Sequence, residues 1–179
     1  MSAAGEVQVR RGGPDDVATV HALVSGAFGE VGPVEPPLSA LRETVDTLAA
    51  RLDGQELLLI AEADGAVVGC AFCAPQDDAV YLGRIAVDAS ARGRGVCRAL
   101  LGEAEAVARA FARSRLTLKV RASMPQNIDV FRRLGFTVTA EARHEGYDRT
   151  TYFVLEKPLA LSGNAAAVDP RADPGAAPA

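Results

Sequence analysis

Tyr81–Leu101, YLGRIAVDASARGRGVCRALL, decides how this 179-residue chain is read. An apolar strand runs through a polar turn into Arg92-Gly93-Arg94-Gly95. An amphipathic helix follows, with Val96, Leu100, Ala104, Val107 and Phe111 as its apolar stripe. The two glycines let the backbone approach a ligand closely, and the first turn of the helix leaves its N–H groups without partners. Such a junction binds phosphate through those donors and the positive end of the helix dipole. It is not a P-loop, because no Gly-Lys-Ser/Thr follows at the required spacing. Nor is it the dinucleotide fingerprint, because Arg98 stands where the third glycine belongs.

Periodicity assigns the segments on either side. Glu6–Arg10 alternates as a first strand, and Pro14-Asp15-Asp16 opens a helix with the stripe Val17, Val20, Leu23 and Val24. Gly29–Pro37 is a loop, and a second helix is predicted over Ser39–Leu52. Three strands follow, Glu56–Ala63, Ala66–Ala74 and Ala79–Val87, the first two joined by the hairpin turn Asp64-Gly65. After the long helix, about Gly93–Ala112, come a strand Leu116–Val120 and a short helix Ile128–Leu134. Gly135-Phe136 closes that helix in the manner of a Schellman stop. Strands Thr137–Arg143 and Thr151–Lys157 complete a domain over residues 1–158. The stretch 159–179 is Ala, Pro, Gly and Asp without an aromatic residue, and is expected to be a disordered tail.

Composition narrows the function. With 49% apolar and 23% charged residues the chain reads as globular, and a net charge of −4 argues against a nucleic-acid binder. Three cysteines and no secretory signal place it in a reducing, cytoplasmic setting. Cys70 and Cys73 fall on one strand and three residues apart point to opposite faces, so they share neither a metal nor a disulfide. With only His21 and His144 besides, no metal is expected, and no stretch is apolar enough to enter a membrane.

Residues 7–157 resemble the GNAT superfamily of N-acetyltransferases, which use acetyl-coenzyme A. The resemblance rests on the element order and on the Arg/Gln-x-x-Gly-x-Gly/Ala pyrophosphate loop, matched by Arg92, Gly95 and the small residue Cys97. A second match is Asn127 followed by Phe131-Arg-Arg-Leu-Gly135-Phe136. It implies an α/β fold of the α+β kind: a mixed, mostly antiparallel sheet of about seven strands, flanked by about four helices and splayed at its centre. It also implies that acetyl-CoA is the co-substrate. Its pyrophosphate would lie on the amides of Gly93, Arg94, Gly95, Val96, Cys97 and Arg98, with Arg92 beside them. The pantetheine arm would pair with Ile85, Ala86 and Val87 and with Asn127, an N–H near Val87 polarising the thioester carbonyl.

A primary amine on a small molecule or peptide would then attack the thioester directly. A lysine-like amine must first lose a proton at a cost of about 4–5 kcal/mol near pH 7, an α-amino group only about 1 kcal/mol. The resemblance calls for a tyrosine as proton donor four residues before Gly135, where this chain has Phe131. Tyr81, Tyr147, Tyr152 and His144 are the remaining acid and base candidates; of these Tyr81 sits on the central strand where some family members carry a glutamate base, and His144, between the last two strands, is best poised near neutral pH. The missing tyrosine also admits a rival reading, an acyl-CoA-binding sensor or partner module without turnover. Dimers are frequent in the family, so a homodimer is compatible with the resemblance.

Overall fold

The computed structural model describes residues 6–160. The first five residues of the domain and, from residue 161 on, the expected tail 159–179 lie outside them. Seven strands form one sheet in the order β1-β2-β3-β4-β5-β7-β6. They are β1 (Gln8–Gly12), β2 (Leu57–Ala63), β3 (Ala66–Pro75), β4 (Ala79–Val87), β5 (Arg115–Arg121), β6 (Thr137–Ala142) and β7 (Tyr152–Pro158). Every neighbouring pair is antiparallel except β4 and β5, which are parallel and joined through a helix. The helices are α1 (Val17–Gly29), α2 (Val45–Asp53), α3 (Val96–Ala110) and α4 (Pro125–Arg133).

Alternation along the strands makes two cores. Leu58, Ile60, Cys70 and Phe72 face α1 and α2, where Val20, Val24 and Leu48 are fully buried. Leu59, Ala71, Cys73 and Leu82 face the other way, against Val96, Leu100 and Val107 of α3. Cys70 and Cys73 therefore stand on opposite faces, as expected, and burial pushes each thiol up to about 12. The Asp64-Gly65 hairpin turn is present, both residues at positive φ (53° and 77°). The stop after α4 is a Schellman motif: Phe136 N–H donates to Phe131 O and Gly135 N–H to Arg132 O, each at 3.0 Å. The Phe131 and Phe136 rings meet edge to face at 5.7 Å.

Three predicted helices have different bounds. The expected Ser39–Leu52 helix is broken: a 3₁₀ turn, Ser39–Arg42, precedes α2, and Thr44 between them is an N-cap that accepts from Thr47 N. Leu41 and Val45, at helical spacing from the buried Leu48, are exposed. The long helix starts at Val96 rather than Gly93, because Gly93 and Gly95 both hold left-handed φ (78° and 83°). The last begins at Pro125, whose ring suits a first helical turn, so Asn127 lies inside α4 rather than ahead of it.

Gly69 is the point where α3 rests on the sheet. A Cβ there would stand 2.5 Å from Val96 Cγ1 and 3.3 Å from the Ala86 carbonyl oxygen. Val96 has a stiff β-branched side chain and the carbonyl is backbone, so neither yields easily. Gly69→Ala is expected to cost about 1–3 kcal/mol, read as a lower urea midpoint at unchanged slope. An unchanged midpoint would mean that α3 shifts freely on the sheet.

Candidate acyl-CoA site

The sheet opens at its parallel pair. Ladder pairing of β4 with β5 runs from Ala79–Arg115 to Leu82–Leu118 and stops, although both strands continue. From Gly83 to Val87, β4 keeps β3 on one side and has no ladder partner on the other. The cause lies in β4. Between the pairs Cys70–Ala86 and Phe72–Gly83, β3 spends one residue and β4 two, Arg84 and Ile85. This is a β-bulge, and Arg84 takes φ 51° to make it. The extra residue inverts the alternation, so Ile85 and Val87 pack toward α3 while Ala86 joins the core under α1.

The register also tells which amides face the gap. Asp88 N–H donates to Val68 O at 2.9 Å, which makes Val68 and Asp88 a hydrogen-bonded pair. The next pair, Gly69 and Val87, is then the non-bonded kind, whose N–H and C=O groups point away from the partner strand. Val87 thus presents its N–H and C=O to the open side.

At the mouth of the gap sits the loop Arg92–Gly95. The first intrahelical bond of α3 is Ala99 N–H to Gly95 O, and no side chain caps the helix. The amides of Gly95, Val96, Cys97 and Arg98 are consequently donors without protein acceptors among the described residues. A Cβ at Gly93 or Gly95 would meet nothing within 4 Å, so the loop stands clear of other chain. Val96 is buried in the core and can contribute only its amide. Cys97 is half-buried and burial pushes its thiol up to about 11, which removes it as a nucleophile. Arg92 pairs with Glu30 at 2.7 Å and Arg94 with Asp64 at 2.9 Å, both on the surface, where such pairs are weak enough to be exchanged for a phosphate. Arg98 is exposed. The Asn127 side chain has no hydrogen-bond partner among the described residues and is half-buried on α4.

Beyond the end of pairing the sheet face under α1 and α2 carries a polar row. Tyr81 leans along β4, with its ring edge 3.3 Å from the place a Gly83 Cβ would take. Lys119 Nζ lies 6.0 Å from the centre of the Tyr81 ring and 5.1 Å from that of Tyr152. The His144 ring meets Tyr152 edge to face at 5.0 Å. Tyr81 and His144, far apart in sequence, are thus joined through Lys119 and Tyr152. Burial first of all pushes the Tyr81 phenol above its ordinary value, with Arg84 and Arg51 opposing. Burial, then Arg121 and Lys119, lower the His144 imidazole, which keeps it neutral. Thr151 Oγ1 accepts from the His144 amide at 2.8 Å and lies 2.6 Å from Nδ1. That contact engages the Nδ1 side of the ring and leaves Nε2 as the ring nitrogen without a protein partner among the described residues. Phe131 is held in the Schellman contact described above and serves packing.

Sequence reading missed the group that ties this face to α2. Glu43 binds Arg84 at 2.7 Å and Arg51 at 2.9 Å, and accepts from Thr47 Oγ1 at 2.6 Å. It also missed that His21 stands 3.4 Å from Ser25, although Nε2 of His21 is committed to the Glu43 carbonyl at 3.0 Å. That imidazole cannot take a proton from Ser25 there. The alternation Leu116, Leu118, Val120 against Thr117, Lys119, Arg121 was the available signal for the polar face of β5. Among the described residues no His, Cys, Asp or Glu group is placed to hold a metal ion, and no helix is long and apolar enough to cross a membrane.

Solved structures share this architecture. The ribosomal-protein-S18-alanine N-acetyltransferase of Escherichia coli superposes with a TM-score of 0.70 at 20% identity, covering 88% of this chain and 97% of that one. A phosphinothricin acetyltransferase of the GNAT superfamily from Sinorhizobium meliloti, in complex with AcCoA, gives 0.69 at 18% identity, with 92% and 94% covered. A GNAT acetyltransferase from Streptococcus pneumoniae gives 0.68 at 19%, with 87% and 100% covered. No protein of curated function matches the chain. The fold is that of an acetyltransferase. Residues 20–136 match the sequence profile described as the Acetyltransferase (GNAT) family, and the chain belongs to that family.

Glu43 makes the face sensitive to acid. Burial opposes its ionisation, but Thr47, Arg84 and Arg51 together outweigh it and hold the carboxyl below its usual value. A depressed carboxyl contributes stability that is full above the unfolded value of about 4.3 and is lost as pH falls through the folded one. Glu43→Gln should therefore cost about 2 kcal/mol or more at pH 7 and much less near pH 3, compared by urea titration. An equal loss at both pH values would remove the ion pairs as the cause.

Proposed function

We propose that this chain is an N-acetyltransferase that moves an acetyl group from acetyl-CoA to a primary amine by direct attack on the thioester. The observation that carries the reading is the unpaired half of β4, with its Val87 amide turned outward, next to the capless start of α3. The amides of Gly93 and of Gly95–Arg98 would hold the pyrophosphate, that of Arg94 being bonded to Ala91 O, with Arg92 and Arg94 exchanging surface acids for phosphate oxygens and Arg98 beside them. Ile85, Ala86 and Val87 would pair with the pantetheine arm as an added strand pairs with a sheet edge, and Asn127 would bond it from α4. The Val87 N–H would stabilise the charge that develops on the thioester oxygen, a kind of donor whose loss elsewhere costs about 3–4 kcal/mol.

Tyr81 is the proton donor in this reading. Its phenol is neutral at pH 7 and stands where the two strands part. It would protonate the leaving thiolate, the role denied to Phe131. His144 is the candidate base: Thr151 Oγ1 engages its Nδ1 side, so Nε2 is the nitrogen left to exchange a proton with the incoming amine, and the ring packs edge to face on Tyr152. The Escherichia coli structure is that of an alanine N-acetyltransferase, which supports an amine as acceptor here. Phe131 favours a second reading, an acyl-CoA sensor without turnover, and release of free thiol in the presence of any amine would remove it.

Titration calorimetry should show micromolar binding of acetyl-CoA and none of adenosine. Gly95→Asp should abolish that binding, since it sets a carboxylate at the phosphate donors and strains a position at φ 83°. Unaltered affinity in this variant would place the ligand elsewhere. Tyr81→Phe should lower kcat by about 10²-fold or more while acetyl-CoA still binds. His144→Ala should slow turnover of a lysine-like amine by about 10²-fold or more, and an unchanged rate would leave the ring only a packing role.

A further inference from the structure

Past the end of β4–β5 pairing, β5 carries two cations on the face beneath α1 and α2, Lys119 and Arg121, about 7 Å apart along the strand. Among the described residues neither forms an ion pair. Lys119 rests between the Tyr81 and Tyr152 rings. Arg121 donates from Nη2 to Pro37 O at 2.7 Å, in the loop before α2, while its Nη1 is buried and has no acceptor among the described residues. A buried guanidinium nitrogen without a partner is costly, so it is either a defect or one half of a contact.

Its neighbours make the second case. Arg42 is exposed without an ion pair among the described residues, and Arg84 stands on the opposite wall. Burial, then Arg42 and Arg84, lower the Arg121 guanidinium from its usual value. Of the acids close by, Glu43 is shared by Arg84 and Arg51, and Glu35 accepts from the Tyr147 hydroxyl and keeps its charge. The acceptor side of the gap therefore holds cations in excess, Lys119, Arg121, Arg42, Arg84 and Arg51 against Glu35 and Glu43. A polyamine or a lysine side chain would bring more positive charge to this wall and leave Nη1 unpaired.

We propose that the acceptor is an amine that carries a carboxylate, an amino acid or a chain-terminal residue, with its carboxylate oxygen bonded by Arg121 Nη1 and drawn in by Lys119. This deepens the acetyltransferase reading and rests on it.

The test compares amino acids with their own carboxamides, with spermidine as the cationic amine and phosphoethanolamine as the phosphate-bearing one. Rates are read as kcat/KM for the wild-type protein, Arg121→Gln and Arg121→Lys. The wild type should favour each carboxylate over its amide by about ten- to a hundredfold, the range of a hydrogen bond to a charged group. Arg121→Gln should bring that ratio close to one, and Arg121→Lys, which keeps the charge, should recover part of it. Preference for amides or spermidine, preference for phosphoethanolamine, or a ratio that Arg121→Gln leaves in place would each overturn the proposal. If acetyl-CoA binds and no amine is turned over, the acetyltransferase reading fails by itself. The carboxylate preference is then read as equilibrium binding of the same pairs to the coenzyme A-loaded protein. Tighter binding of the carboxylates in the wild type but not in Arg121→Gln supports the anion site, and equal binding in both refutes it.

Discussion

The site depends on a mismatch of one residue. Arg84 is the extra residue in β4, and a bulge bends the strand that carries it. A β4 without it would run on beside β5 and satisfy its own backbone groups within the sheet. With it, the parallel pair ends at Leu82 and Leu118, and the amide and carbonyl of Val87 are left for something that is not protein. The bulge is secured from outside the sheet, because the Arg84 side chain is held by Glu43 just ahead of α2. The same carboxylate binds Arg51 within α2, so helix, loop and bulge share one anion.

Chemistry follows from the two sides of the gap being of different kinds. Toward α3 the groups are main-chain donors around Gly93–Arg98. Toward β5 and β7 they are side chains: the Tyr81 phenol, the Lys119 and Arg121 cations, and the His144 ring held by Thr151. The chain as a whole carries a net charge of −4, yet this face is positive. Overall charge describes solubility and long-range encounter, whereas the acids around the gap are consumed by particular partners.

Features set by neighbours in sequence were legible before any coordinates. The Asp64-Gly65 turn, the opposed faces of Cys70 and Cys73 and the Gly135-Phe136 stop each depend on spacing of a few residues. The glycine-led start of α3 was legible for the same reason, although its first three residues belong to the loop. What escaped was set by distant residues. Nothing local marks Arg84 as a bulge, since its partner Glu43 lies 41 positions earlier. The break before α2 escaped because Ser39–Leu52 keeps helical spacing across Glu43 and Thr44, and spacing does not register a cap. His144 could be singled out as an imidazole, but its contact with the Thr151 hydroxyl reaches across a hairpin.

The capless first turn of α3 and the outward amide of Val87 have one property in common: neither is a side chain. Main-chain donors persist through most substitutions, as long as the bulge, the two left-handed glycines and the Gly69 contact keep the backbone on its course. A lineage built on such a site is free to exchange most of its residues without losing its grip on one ligand, while the opposite wall is rewritten for new acceptors. Here four in five positions differ from the Escherichia coli enzyme and the backbone still follows the same path, the pattern expected when inheritance acts on geometry rather than on letters.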